Sequence, residues 1–254
     1  MLPLLCLRVR LLMSLNWSIE THDEVLSTQE IIKGMTLMNV AEGQVVQAAR
    51  QLAGRGRHGR KWESLDGNLF LSLLLTPSCK AQDVGQISLI AGIALADAIA
   101  HFLPDYDGLM LKWPNDVLMG GEKCAGILLE TELGDNGAVK WVALGLGVNI
   151  AEAPKGLGRA INDEANDPVA VNDFRDVFLK KMGWYYTLWL RNGFEDLREL
   201  WLSKAHKEGT RLTLKLGPHL ESGVFHDIDA FGNLRLRDDE HRIRVITSGE
   251  VYLY

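Results

Sequence analysis

Gln51-Leu52-Ala53-Gly54-Arg55-Gly56-Arg57-His58-Gly59-Arg60-Lys61-Trp62 gathers three glycines and four formal positive charges in one stretch with no apolar periodicity. It reads as a loop that wants an anion. Gly54, Gly56 and Gly59 relieve the steric limits on φ and let backbone N–H groups approach a ligand. Arg55, Arg57 and Arg60 add forked donors suited to carboxylate or phosphate. Gly54-x-Gly56-x-x-Gly59 matches the dinucleotide fingerprint by letter, but that motif has to open a helix. Here Trp62-Glu63-Ser64-Leu65-Asp66-Gly67-Asn68 follows, then the strand-like Leu69-Phe70-Leu71-Ser72-Leu73-Leu74-Leu75. A P-loop needs Lys and then Ser or Thr directly after its last glycine, where this chain has Arg60 and Lys61. Both nucleotide folds are therefore excluded. A solvated basic surface loop is the competing reading of the stretch taken alone.

The whole chain narrows the choice. With 254 residues, 47% of them hydrophobic and 24% charged, it can bury a large core and a small second domain. A net charge of −6 argues against a general nucleic-acid binder, so the basic loop is a local site in an acidic protein. Cys6, Cys79 and Cys124 lie far apart without a CxxC pair, which suggests neither a disulfide framework nor a zinc site. That usage fits a reducing compartment, and a cytoplasmic location is expected. Residues 1–15 are Leu-rich but interrupted by Arg8 and Arg10, too short for a typical secretory core and too short to span a bilayer. They read as an N-terminal extension, with Met13 as an alternative start and a short packed strand or helix as the other reading.

Outward from the loop, alternation at Trp17, Ile19 and Thr21 suggests a strand, and Ser27-x-x-Glu30 suggests a capping box for a helix reaching about Met38. A strand over 43–49 leads into the loop and an apolar strand over 69–75 leaves it. Residues 83–103 form a helix with a broad apolar face. Residues 109–113 make a short strand stopped by Pro114-Asn115-Asp116, followed by a glycine hairpin whose return strand opens at Lys123. An apolar strand over 139–150 carries Gly145, Gly147 and Asn149. Residues 151–172, rich in Pro, Gly, Asn and Asp, read as a long mobile loop and a candidate lid. Residues 173–204 are helical in two pieces broken near Asn192-Gly193. Five short strands then follow, over 211–216, 222–228, 234–237, 243–246 and 250–253, with turns at Gly217-Pro218, Gly232-Asn233 and Asp238-Asp239. They predict a small β-barrel-like tail.

Four blocks in this order, Gly54 to Trp62, Lys112-Trp113-Pro114-Asn115-Asp116, Lys123-Cys124-Ala125-Gly126-Ile127-Leu128 and Gly145-Leu146-Gly147-Val148-Asn149-Ile150, resemble the signature blocks of biotin protein ligases. The resemblance runs from about Ser18 to the C-terminus. It implies an α+β fold: a biotin/lipoate ligase-type catalytic domain over 16–205, with a mixed sheet and flanking helices, and an SH3-like barrel over 206–254. Residue by residue it assigns Ser27, Thr28, Gln29 and Gln51 to the biotin ring, although the family usually has Asn where this chain has Gln29. Arg55, Gly56 and Arg57 match the loop that closes over biotin and its adenylate. Lys123 matches the lysine at the biotin carboxylate and α-phosphate, Trp62 and Asn149 match residues of the nucleotide side, and Asp116 matches an acid near the reacting atoms. A turn role for Asp116 stays open.

The implied reaction joins two anions, the biotin carboxylate and ATP, and a lysine amine of a biotin carboxyl carrier domain then takes the acyl group. Bringing two anions together needs compensating cations; Lys123, Arg55 and Arg57 supply them, with Mg²⁺ entering on the triphosphate and no metal held by protein ligands alone. Bifunctional relatives carry an N-terminal winged helix-turn-helix, and only the short leader precedes the catalytic part here, so no DNA or membrane partner is expected. A homodimer is left open. The competing functions are a lipoate ligase or acyltransferase on the same fold and a non-catalytic biotin sensor.

Overall fold

The computed structural model describes residues 15–38, 40–216 and 219–252. The readings of residues 1–14 and of the turn at Gly217-Pro218 lie outside the described residues. Two sheets organise the rest. The larger has seven strands in the order β1 (Ser18–Val25), β2 (Gln44–Gln51), β3 (Leu69–Leu75), β7 (Val139–Val148), β6 (Glu122–Leu133), β5 (Asp116–Met119) and β4 (Leu109–Lys112). Only β1 and β2 run parallel, and the helix α1 (Thr28–Thr36) makes the crossover that a parallel pair requires. Every other pairing in this sheet is antiparallel. Gly120 and Gly121 both take positive φ, 60° and 85°, as a two-residue turn between β5 and β6 demands.

Strand β3 is buried along its whole length, and period-two alternation splits it between two cores. Leu69, Leu71, Leu73 and Leu75 join the main core, which the helices α2 (Gly85–Phe102), α3 (Val171–Asn192) and α4 (Glu195–Lys204) cover. Leu74 faces the other way, where Ile32 of α1, Val46 and Ala143 complete a small second cluster. With the turn before it, α2 is long and apolar enough to cross a bilayer by composition, yet 72% of that window is buried inside the fold. Gly193, at φ 80°, separates α3 from α4 where the sequence placed the break.

The tail forms a five-stranded antiparallel sheet, β8 (Arg211–Leu216), β9 (His219–Ile228), β10 (Leu234–Arg237), β11 (Ile243–Ile246) and β12 (Glu250–Tyr252), in the order β11-β10-β9-β8-β12. Its inner residues Leu212, Leu214, Phe225, Leu234, Leu236 and Val251 merge into the main core. Trp113 Nε1 donates to the Gly232 carbonyl at 2.9 Å, and Arg198 reaches Asp227 at 2.9 Å, so the two sheets are seamed by polar bonds as well.

Two expectations change. The capping box does not form, since Ser27 makes no side-chain cap bond; the first helical N–H, that of Thr28, goes to Gln51 Oε1 at 2.9 Å. Glu30 is drawn away by Arg55 at 2.6 Å and Lys33 at 3.4 Å. The stretch read as a mobile loop ends at Ala170, and it is tied down. Buried Asn68 accepts from the N–H groups of Ile150, Ala151 and Glu152 at 2.9, 3.0 and 3.2 Å and donates to the Glu152 carbonyl at 2.7 Å. Asn162 and Asp163 close the far end on the N–H groups of Val169 and Ala160, both at 2.9 Å. Replacing Asn68 by Ala strands three amides at the loop's root, and an expected loss of about 2–3 kcal/mol in urea melts follows. Asn68→Asp, which keeps the acceptor oxygens, should lose less.

His206 lies at the seam between α4 and the tail, only 4% exposed and edge-on to Phe225 with ring centroids 6.0 Å apart. Burial, reinforced by the nearby Lys112 ammonium, lowers its pKa to about 4. The folded state therefore binds fewer protons than the unfolded chain between about pH 6.5 and 4, so stability falls as the pH is lowered through that window. Chemical melts at several pH values should show a shallower fall across that window for His206→Phe than for the parent chain.

Candidate active site

A row of small residues hollows the α1 face of the large sheet. Across three strands, Ser72 pairs with Gly145 and Gly145 with Leu128; one row along, Phe70 pairs with Gly147 and Gly147 with Gly126. Larger side chains at Ser72, Gly126, Gly145 and Gly147 would fill the space beside α1, and the small residues there leave a cleft of about 290 Å³. Its floor is strict about size. A Cβ on Gly147 would fall 2.2 Å from the Trp62 ring, and one on Gly126 would fall 2.9 Å from both Trp62 and Lys123 Nζ.

The inner end is polar and buried. Ser27, Thr28 and Gln29 enter it from the start of α1 at 3, 3 and 5% exposure, Ser72 from β3 at 1%, and Gln51 from the end of β2. The mouth is basic. Arg55, Arg57, Arg60 and Lys61 line it from the loop, and Lys123 lines it from β6. The loop is an ordered excursion: Trp62 N–H bonds to the Gly54 carbonyl at 2.9 Å and Gly56 N–H to the Arg60 carbonyl at 2.7 Å. Its tip turns through His58 and Gly59 at positive φ, 56° and 73°. Gly54 serves by close approach, since a Cβ there would stand 2.9 Å from the Trp62 carbonyl oxygen.

Lys123 Nζ sits 2.6 Å from Asp116 Oδ1 and 5.2 Å over the Trp62 ring. By separation the first contact is an ion pair, although the ammonium is not angled into a hydrogen bond with that oxygen. Lys112 approaches the other Asp116 oxygen at 3.3 Å. Asp116 does not line the cleft. It opens β5 and is paired with Lys123 across to β6. Arg57 donates to Asn115 Oδ1 and to the Gly249 carbonyl, both at 3.2 Å. Burial lowers the pKa of its guanidinium, and the charge of Asp116 opposes that shift. Arg60 pairs with Glu250, so the tail sheet grips the loop twice. Asn149 donates to the Lys123 carbonyl at 3.2 Å, bracing the strand that carries the lysine as well as lining the cleft. Cys124, next to Lys123, is fully buried, and that burial pushes its thiol up to about 12.

The sequence expectations named Ser27, Thr28, Gln29, Gln51, Arg55, Gly56, Arg57, Trp62, Lys123 and Asn149, and all of them line this one cleft. Ser72, Asn115 and Glu30 were missed. Ser72 was the one polar residue in an otherwise apolar strand, and Asn115 lay inside a quoted block, so both carried a signal. Glu30 was assigned to the cap and is in fact the partner of Arg55.

A cavity with a hydrogen-bonding inner end and a cationic mouth suits an organic acid whose carboxylate faces the cations. The chain belongs to the biotin/lipoate A/B protein ligase family, whose model matches residues 23–149, and the biotin protein ligase C-terminal domain matches residues 208–254. A biotin–acetyl-CoA-carboxylase ligase of Paracoccus denitrificans is 36% identical over 217 residues, covering 82% of this chain and 89% of the relative. The enzyme of that name from Mycobacterium tuberculosis is 33% identical over 83% of this chain and 79% of its own. Among solved structures, a biotin protein ligase from Aquifex aeolicus in complex with biotin and ATP superposes with a TM-score of 0.78 at 27% identity, covering 92% of this chain and 97% of that one.

Because the Trp62 ring rests on the bare backbone of Gly147, Gly147→Ala should displace the indole and narrow the cleft. The expected outcome is a Trp fluorescence change with unaltered far-ultraviolet circular dichroism, about 1–3 kcal/mol of lost stability, and loss of ligand binding in the cleft.

Proposed function

We propose that the protein activates biotin with ATP as biotinoyl-5'-AMP and transfers the biotinoyl group to one lysine of a biotin carboxyl carrier domain. The observation that carries this reading is the joining of a polar pocket, with Ser27, Thr28, Gln29 and Ser72 buried and Gln51 beside them, to a mouth built around Lys123. The ring of biotin offers a cyclic urea to such a pocket. A lipoate ring carries only sulfur and carbon there, and it would leave these buried hydrogen-bonding groups without partners. A biotin sensor would have no use for the cluster of cations at the mouth.

In the first step a biotin carboxylate oxygen attacks the α-phosphorus and pyrophosphate leaves. Lys123 stands where both the carboxylate and the α-phosphate come to rest, and Arg55 and Arg57 flank it; each charge-assisted hydrogen bond contributes roughly 1.5–3 kcal/mol. Trp62 and Asn149 serve the nucleotide side. Asp116 holds Lys123 in place from below the cleft. Mg²⁺ arrives with ATP as the counter-ion of the triphosphate. Among the described residues no three His, Cys, Asp or Glu side chains gather as a metal cluster.

The adenylate is a mixed anhydride that water would destroy, and the ordered loop over 54–60 shields it until the acceptor amine attacks the acyl carbon and AMP leaves. The acceptor is a carboxylase carrier domain in the cytoplasm. Neither DNA nor a membrane takes part in this reading.

The test is biotin-dependent pyrophosphate release from Mg-ATP, with the adenylate identified by mass and lipoate as the control acid. Adenylate with biotin and none with lipoate is expected; none with either acid, despite biotin binding, would favour the sensor. Lys123→Ala should reduce adenylate formation by about 10²–10³-fold, and near-normal turnover in that variant would refute its role.

A further inference from the structure

The blind end of the cleft fixes more than shape. Gln29 Nε2 donates to the Ala143 carbonyl at 2.9 Å, and since an amide oxygen would repel that carbonyl, the nitrogen must be the end that points there. Gln29 Oε1 is therefore the end that meets Ser72 Oγ at 2.9 Å, and it can only accept. A hydroxyl has one proton. Ser72 gives its proton to Gln29 and accepts from Thr28 Oγ, 2.8 Å away. The other acceptor within reach of Thr28, Gln51 Oε1 at 3.2 Å, is more distant and already takes the Thr28 N–H at 2.9 Å. Thr28 thus spends its only proton inside the wall and shows the cavity lone pairs. Thr28, Gln29 and Ser72 are all at least 95% buried, so bulk water does not compete for these protons. Gly145 makes the arrangement fit, because a Cβ there would stand 2.7 Å from Gln29 Oε1.

We propose that Ser72 is a positioning residue that sets the hydrogen-bond polarity of the ring pocket. By committing its proton to Gln29 it holds Thr28 as an acceptor. The pocket then selects a ring that presents N–H at this point over one that presents an oxygen there. The proposal rests on the reading of the cleft as a biotin site.

The test measures biotin KM, ATP KM and kcat for the wild type, Ser72→Ala, Thr28→Val and the double variant. Each enzyme is given biotin and a cyclic carbamate analogue in which a ureido N–H becomes a ring oxygen. Ser72→Ala should raise the biotin KM about tenfold with kcat and ATP KM unchanged, and narrow the preference for biotin over the carbamate by about tenfold. It should add nothing further in the Thr28→Val background, because it acts through that hydroxyl. A biotin KM within about twofold of wild type, an unchanged preference, or effects that multiply in the double variant would each overturn the proposal. If Ser72→Ala does not fold, Ser72→Cys, a weak donor of similar size, enters the same cycle with the same two readouts. Wild-type protein that binds no biotin would overturn the functional reading as well, whereas wild-type binding with an indifferent Ser72→Ala overturns this proposal alone.

Discussion

Cations crowded around one cleft repel one another, and the site depends on the acids that hold them apart. Asp116 stands between Lys112 and Lys123 and bears on Arg57 as well. Glu30 takes Arg55, and Glu250 takes Arg60. These three acids come from α1, β5 and β12, so the basic loop and its lysine are laced to three separate parts of the fold. The outer pairs are largely exposed, with Arg55 at 52% and Arg60 at 54%, and pairs of that kind contribute little to stability. Asp116, at 11% exposure, is different: it holds Lys123 in a drier place, where an unpaired ammonium would be costly. The loop is thus ordered by weak, exposed contacts around a lysine that is held more firmly.

The hollow depends on the same sheet that supplies the core. One face of β3 and β7 sends Leu69, Leu71, Leu73, Leu144, Leu146 and Val148 into the main core, while the alternate positions, Ser72, Gly145 and Gly147, shape the cleft. A strand's period of two makes this division automatic, and a one-residue slip would put leucines into the cavity. Stability and binding therefore share the same strands and mostly use alternate positions, with Leu146 and Ile127 belonging to the core while also lining the cleft.

Much of this was legible in the chain itself. Leu69–Leu75 was read with its observed bounds because a run of branched and aromatic residues between turn signals has few other solutions. The basic loop was readable because glycine spacing and arginine chemistry both point to an anion. Pairings were harder. Ser27-x-x-Glu30 satisfies the letter of a capping box, yet Arg55, 25 residues away, competes for Glu30 and wins. The stretch over 151–172 had the composition of a mobile segment, and nothing local announced that Asn68, 82 residues before Ile150, would hold its root. Composition reports what a segment can do alone; tertiary partners decide what it does.

The grip of the tail on the loop also bears on how such enzymes can be recombined. Arg57 bonds to the Gly249 carbonyl and Arg60 to Glu250, two neighbouring positions at the start of the last strand. A hybrid that joined this catalytic sheet to a foreign tail would keep its hydrophobic seam if volumes matched, but it would carry the loop's conformation over only with that two-residue contact. The smallest transplantable unit is therefore the loop together with the strand that meets it, although nearly 190 residues of chain separate the two in sequence.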